Sequence, residues 1–288
     1  MHGDFIGVVF DGIAFGSLLF VIAVGLSVTL GLMNFVNLAH GSFAMLGGYV
    51  CVVLMSALRV PFLLTLPAAF VAAAAAGLVL ERTLYRRLYH ASPLDQVLFS
   101  IGVVFISIAG ATYVFGSSQQ PVRLPGYLQG QVRVAGHDFG VYRIFLVAVV
   151  ALLTIALEYV IRRTRFGSLL RASVDHATAA AGLGIDVGRV FALAFALGSG
   201  LAGLGGGLAI DVLGLDPTFP LKYMVDFLLV VAVGGAGSVR GPLIAALILG
   251  VFDVAGKYYV PELGGFAVYA LMIAMLLRFP LGLHGRLG

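Results

Sequence analysis

Two short polar stretches interrupt the long apolar runs of this sequence. The first, NFVNLAHGS at 34–42, offers hydrogen-bonding side chains and a glycine at which the chain can turn, namely Asn34, Asn37, His40, Gly41 and Ser42. The second, GGAGSVRGP at 234–242, offers Gly234, Gly235 and Ser238. Non-helical backbone at membrane depth persists only where protein or a water-filled cavity satisfies its amides. The two stretches therefore indicate a pathway for a polar solute, with two ordinary turns at the bilayer surface as the alternative.

The chemistry expected at these stretches is hydrogen bonding rather than catalysis. Pro242 suits the first turn of a helix, and the free N–H groups of a helix N-terminus favour a carboxylate or another polar group of a substrate. His40 stands alone beside Asn37, so we interpret it as a hydrogen-bonded structural or pathway residue. The sequence contains neither a His-Glu-x-x-His nor a Gly-x-Ser-x-Gly motif, and Cys51 is its single cysteine. No enzyme, cofactor or metal site is predicted.

The chain also lacks an energy source of its own. Its two lysines, Lys222 and Lys257, stand in no Gly-Lys-Ser or Gly-Lys-Thr phosphate loop. The apolar segments hold few ionisable groups: Glu158 is expected to pair with Arg162, and Asp253 with Lys257, both at i,i+4 spacing. A proton relay needs titratable groups deep in the membrane, and none is visible. Such a transporter is either passive or driven by a separate ATPase.

The basic segment 162–190 is the longest run that cannot lie in hydrocarbon. It carries five arginines against Asp175 and Asp186 between two apolar runs, which marks the cytoplasmic side. Its middle, 168–181, is alanine-rich and predicts a short helix that stops at Gly182 and Gly184. We interpret it as a surface helix on which a soluble partner acts, the alternative being an ordinary positive-inside loop.

Composition fixes the class of element that positions these groups. Of the 288 residues 61% are hydrophobic and 10% charged, and the mean hydropathy is +1.08. A soluble domain carries about a quarter charged residues, so the sequence predicts an all-α, polytopic membrane bundle. The 39 glycines suit close helix packing. We expect one transmembrane domain over 1–288, with broken helices and a short cytoplasmic helix within it, and no binding of nucleic acid.

The order of apolar runs predicts eight or nine crossings. The first, 5–33, is interpreted as a retained span rather than a cleaved signal. Loops 81–95 and 162–190 are expected in the cytoplasm, and loops 116–140 and 211–226 outside. If 226–233 is a short span, there are nine crossings, and Arg240 and the C-terminal tail with Arg278 and Arg286 lie inside. If it is re-entrant, there are eight and the tail lies outside. The charge rule favours nine.

Several motifs resemble those of one family. Residues 31–41, GLMNFVNLAHG, followed by MLGGY at 45–49, resemble a signature of the branched-chain amino acid ABC transporter permeases. The stretch 234–242 is similar to that family's late Gly-Gly-x-Gly-Ser-x-x-Gly-Pro, and Glu81-Arg82 with Tyr85-Arg86 to a loop motif. Similarity to its cytoplasmic coupling segment rests on Arg171, Ala172, Asp175, Ala180, Gly184 and Ile185. The matches span almost the whole chain in order.

The resemblance implies the smaller permease of an ATP-driven importer in the bacterial inner membrane, surrounded by lipid. Its partners would be a second, related permease, two ABC ATPase subunits, and a periplasmic or lipid-anchored substrate-binding protein. The residues expected to contact the ATPase are Gly167, Arg171, Ala172, Asp175, Ala180 and Gly184. Those expected to shape the route are the residues of the two polar stretches named above. Branched-chain amino acids fit the apolar route; urea, short amides or passive passage of small solutes are the alternatives.

Overall fold

The computed structural model describes residues 5–33, 37–89, 91–134, 136–279 and 282–283. In these ranges the regular secondary structure is helical apart from one small hairpin. The helices are α1 Phe5–Met33, α2 His40–Ser56, α3 Phe62–Thr83, α4 Pro93–Phe115, α5 Val141–Arg163, α6 Arg165–Asp175, α7 Ala177–Gly182, α8 Val187–Ala209, α9 Phe219–Gly234, α10 Arg240–Tyr259 and α11 Gly264–Arg278. The antiparallel strands β1 (Gln131–Val134) and β2 (His137–Gly140) form the hairpin, and 3₁₀ turns occupy Tyr85–Leu88 and Gly126–Leu128.

Six of these helices are long and apolar enough to cross a membrane: α1, α3, α4, α5, α8 and α10. Three more, α2, α9 and α11, have 17, 16 and 15 residues. At a rise of 1.5 Å per residue they reach about 22–26 Å, a little short of the hydrocarbon core of about 30 Å. The predicted class, a polytopic all-α membrane bundle, is confirmed.

Helix α1 is the core of the bundle. Within its apolar window 83% of the residues are buried by the protein, against 11% for α4 and 17% for α5. It packs against α8, α9 and α10. A helix that is apolar all round and covered by others is a central element, whereas α4 and α5 present most of their surface outward.

Glycines allow the helices around α1 to approach closely. A Cβ atom added at Gly25 would lie 2.2 Å from the carbonyl oxygen of Gly198 in α8. One added at Gly16 would lie 2.4 Å from the carbonyl oxygen of Ala246 in α10. No side chain fits at either contact, so the backbones themselves touch. The expectation that small residues pack the membrane helices is therefore met at the centre of the bundle.

Two predicted boundaries were wrong. The single helix expected at 168–181 is two helices, because the backbone leaves the helical region at His176 (φ −149°, ψ 83°). Asp226, expected in the outer loop, lies inside α9, which starts at Phe219 with Pro220 in its first turn. The predicted stop was right: α7 ends at Gly182, and Gly184 adopts φ +83°.

The ends of several helices meet at one side of the bundle. The Gly237 N–H donates to the Ser27 carbonyl near the end of α1 (2.9 Å), and Leu283 donates to Val233 at the end of α9 (2.7 Å). Arg240, the first residue of α10, pairs with Glu158 near the end of α5 (2.6 Å). The described part of the tail thus lies on the side of the basic segment, which we call the inner side. Arg286 lies outside the described residues.

Candidate functional site

The first polar stretch lies beside the middle of α1. The His40 Nε2 atom is 2.8 Å from the Ile22 carbonyl oxygen. Ile22 precedes the end of α1 at Met33 by eleven residues, or about 16 Å of helix. The chain therefore returns into the bundle after α1, and α2 starts at depth. Because α2 begins at His40, the last three residues of the stretch 34–42 are helical. Asn34 lies outside the described residues.

Hydrogen bonds within the protein hold this stretch. The Asn37 Oδ1 atom accepts from the Ala39 N–H (3.0 Å) and from the Tyr85 hydroxyl (3.1 Å). Burial raises the pKa of Tyr85, so its hydroxyl remains a donor. Asn37 and His40 are 1% and 2% exposed. The interpretation of His40 as a hydrogen-bonded residue agrees with this geometry, and both side chains are enclosed by the subunit.

Ser42 and Gly41 face different neighbours. The Ser42 hydroxyl lies 2.7 Å from the Ser107 hydroxyl of α4, at the edge of an apolar cavity of roughly 370 Å³ between α2, α3 and α4. A Cβ added at Gly41 would lie 3.0 Å from the Pro220 Cα atom. The first turn of α2 is thereby fixed against both α4 and α9.

The second polar stretch lies at the inner end of α1. Gly235 and Gly237 adopt φ +89° and +82°, a region in which only glycine is unstrained. The Ser27 hydroxyl donates to the Ser238 carbonyl (3.1 Å), and a Cβ at Gly31 would lie 2.1 Å from Gly237. Ser27 and Gly31 lie about 7–13 Å further along α1 than Ile22. The structure therefore stacks the two stretches at different heights on α1.

The basic segment is fixed to α5 by its first turns. The Thr164 hydroxyl accepts from the Gly167 N–H (3.2 Å) and caps α6. Gly167 is buried, and a Cβ there would lie 2.0 Å from the Ile161 carbonyl oxygen. The Arg171 guanidinium donates to the same carbonyl. Two residues predicted to contact an ATPase, Gly167 and Arg171, thus first of all join α6 to α5.

One face of the basic segment is exposed. Ala172 and Asp175 of α6 are exposed, as are all residues of α7 except the buried Ala180. Beyond α7, Leu183 is 83% exposed. On the opposite face, Leu170 packs against Val190 and Ala194 of α8. One face of α6 and α7 therefore packs against the rest of the protein, and the opposite face is exposed.

The structure also joins the second polar stretch to the basic segment. Glu158 is bonded to Arg240 by two hydrogen bonds (2.6 and 3.3 Å) and lies 3.9 Å from Arg162. The predicted Glu158–Arg162 pair is present, but Arg240 is the nearer partner. Sequence reasoning missed Arg240 because it lies 82 positions away. Its only signal was its place inside the stretch 234–242.

Around this pair lies a cavity that we call the inner vestibule. Its volume is roughly 590 Å³, and its lining includes Glu158, Arg162, Arg171, Ser238 and Arg240. A smaller cavity of roughly 300 Å³ next to it shares Gly237 and Ser238 and adds Gly31 and Asp175. Residues predicted for the pathway and for the ATPase contact therefore line common space. Within the described ranges, no three His, Cys, Asp or Glu residues cluster as metal ligands would.

The fold and these sites define a class: a multi-pass membrane permease, built from helices and carrying an exposed basic surface on its inner side. Comparison with known proteins agrees. A family model described as the permease component of branched-chain amino acid transport systems matches residues 8–276. The chain belongs to this family, which confirms the resemblance found in its motifs. It is one component of a transport system in the bacterial inner membrane, and it is not an enzyme.

Individual relatives match over nearly their full length. The high-affinity branched-chain amino acid transport system permease protein LivH of Escherichia coli K12 is 31% identical over 98% of this chain and 96% of its own. The probable permease LivH of Methanocaldococcus jannaschii is 30% identical over 95% and 90%. The permease BraD of Pseudomonas aeruginosa is 27% identical over 96% and 94%. No solved structure matches the chain.

Proposed function

We propose that this chain is the smaller permease of an ATP-driven importer for branched-chain amino acids. It would pair with a second, related permease, take substrate from a periplasmic or lipid-anchored binding protein, and be driven by two ABC ATPase subunits. The observation that carries the proposal is the similarity to branched-chain amino acid permeases from end to end, residues 8–276 in the family match. No comparison favours urea, amides or a passive channel.

Nine crossings fit this proposal best. Helices α2, α9 and α11 would join the six long ones, with α2 starting at depth beside Ile22. This count puts the basic segment, Arg240 and the tail together inside, and their contacts with α5 and α9 support that side. The whole chain would act as one permease domain.

Helices α6 and α7 would receive the ATPase. Their uncovered face carries Ala172 and Asp175, and Gly184 sets the turn behind it. The Arg171 bond to Ile161, together with the close contact at Gly167, makes α6 and the end of α5 a stiff unit. Movement of this surface by the ATPase would move α5 and, through the Glu158–Arg240 pair, the start of α10. We call this linked set, α6 with the end of α5 and the start of α10, the lever, and it ends at the second polar stretch.

The route itself would be shaped by both polar stretches. Asn37 and His40 hold the start of α2 from inside the bundle. In the second stretch Ser238 lines the inner vestibule, and the buried Gly234 and Gly235 precede it at the end of α9. We infer that the first stretch sets the shape of the route and that the second opens it towards the cytoplasm.

The test is uptake by the complete transporter in proteoliposomes. Arg171→Glu should leave membrane insertion intact and lower ATP-driven leucine uptake about tenfold or more. The substitution removes the side-chain hydrogen bond that joins α6 to α5 and places a negative charge where residue 171 is positive. Arg133→Glu, in the hairpin of the opposite side, is the matched control and should change little. Unlabelled valine should compete with leucine, and urea should not. Unchanged uptake by Arg171→Glu, or competition by urea alone, would contradict the proposal.

A further inference from the structure

A charged cavity lies between α1, α9, α10 and α11, away from the inner vestibule. Its volume is roughly 410 Å³, within the range of small-molecule sites. Val212 and Leu213, which follow the outer end of α8, and Gly265 at the start of α11 line it. It therefore reaches the outer side of the bundle, where a solute delivered from outside would arrive.

Three ionisable side chains line this cavity. The Lys257 ammonium is 2.7 Å from the Asp253 carboxylate, which is 15% exposed. Asp226 of α9 lies near enough to interact electrostatically with both. In the part of the chain that the structure describes, Asp226 itself makes no hydrogen bond or ion pair. Two carboxylates thus face a single ammonium group.

An ionisable side chain without a partner inside a membrane span is costly to keep. The site offers two carboxylate positions for a ligand cation and, next to them, an ammonium for a ligand anion. Its remaining wall is apolar and includes Phe15, Leu19, Leu229, Leu249 and Val268. The Tyr223 hydroxyl is already engaged with the Leu213 carbonyl (3.0 Å). Carboxylates and an ammonium group beside an apolar surface are complementary to a zwitterion that carries an aliphatic side chain.

We propose that this cavity binds an α-amino acid zwitterion on the permease itself. The ammonium of the ligand lies between Asp226 and Asp253, its carboxylate faces Lys257, and its side chain packs on Phe15, Leu19 and Leu249. The site rests on the proposed function and extends it, since selectivity would then reside partly in this subunit. Neutral solutes such as urea lack the charges that this site pairs.

The experiment measures binding of radiolabelled leucine to the purified, assembled transporter without its binding protein. Asp226→Asn keeps the shape and removes the charge, and it should weaken leucine binding roughly 10- to 100-fold, as expected for a lost charge-assisted hydrogen bond. Glu262→Gln, which removes an exposed carboxylate between α10 and α11, is the control and should bind as wild type.

Two analogues separate the charges. Isocaproate lacks the ammonium and isoamylamine lacks the carboxylate; both should bind the wild type more weakly than leucine. In Lys257→Gln, leucine should lose its advantage over isoamylamine. Should Asp226→Asn fail to assemble, the analogues and Lys257→Gln still decide.

Three results would overturn the site. The first is equal leucine binding by Asp226→Asn and wild type, and the second is equal binding of isocaproate and leucine by wild type. The third is absence of leucine binding in a wild-type complex that imports leucine. A wild-type complex that imports no leucine with its ATPases, binding protein and ATP would instead refute the proposed function. The two failures are therefore distinguishable.

Discussion

The substitution Gly167→Ala tests the stiff link between α5 and α6 with a single methyl group. In the structure this methyl would lie 2.0 Å from the Ile161 carbonyl oxygen and 2.6 Å from that of Val160. A Cβ atom essentially never comes closer than 3.0 Å to such a neighbour, so α6 must move by at least about 1 Å. The same movement strains the Arg171 bond to Ile161.

The cost of such overpacking is about 1–3 kcal/mol. If this cost destabilises the arrangement of α6 and α5 that transmits movement from the ATPase, the population of that arrangement falls by about 5- to 150-fold. The atoms nearest to the added methyl belong to Ile161 and Val160 at the end of α5, so we expect the clash to stay local and folding and insertion to be preserved. We therefore expect a loss of coupling, seen as fewer leucine molecules imported per ATP hydrolysed.

The assay is ATP-driven leucine uptake and ATP hydrolysis measured on the same proteoliposomes. Gly102→Ala in α4 is the matched control, because nothing lies within 4 Å of a Cβ at that position, the residue is helical and it lies outside the proposed ATPase contact. The ratio should fall several-fold in Gly167→Ala and stay unchanged in Gly102→Ala. An unaltered ratio in Gly167→Ala would refute the lever, and loss of the protein from the membrane would refute the claim that the clash is local.

Two further predictions concern the inner vestibule and the core. Glu158→Arg alone or Arg240→Glu alone should reduce leucine uptake. The double variant should restore part of the uptake, because the ion pair at 2.6 Å is re-formed with reversed charge. Uptake by the double variant as low as that of the worse single variant would contradict a direct link between the two residues. Gly25→Leu should abolish accumulation of folded protein, measured by size-exclusion chromatography in detergent, since its Cβ would already lie 2.2 Å from the Gly198 carbonyl oxygen. Gly102→Leu in α4 is the control and should be tolerated, because nothing lies within 4 Å of a Cβ at that position. Normal yield of Gly25→Leu would show that α1 and α8 can separate there.

The sequence alone determined the kind of protein, because membrane insertion depends on local properties. Length and apolarity of a run decide whether it can span, so the long helices followed directly. Basic loops predict which side faces the cytoplasm, and that side stays a prediction. The motifs at 31–49 and 234–242 were enough to indicate the family. Boundaries failed where the local signal was misleading, as at Asp226, whose charge suggested a loop although the surrounding helix and cavity accommodate it.

Only the tertiary structure decided which distant residues share a site. The pairing of Glu158 with Arg240, the anchoring of Arg171 on Ile161 and the charged cavity that includes Asp226 all depend on how helices cross. In this bundle the crossings are set by glycine contacts such as Gly25 against Gly198, where a single methyl would separate two backbones. Hydrophobicity says that a segment is buried in lipid or protein, but it carries no information about which neighbour a helix meets. Close packing between backbones supplies that choice, and it exists only once the chain is folded.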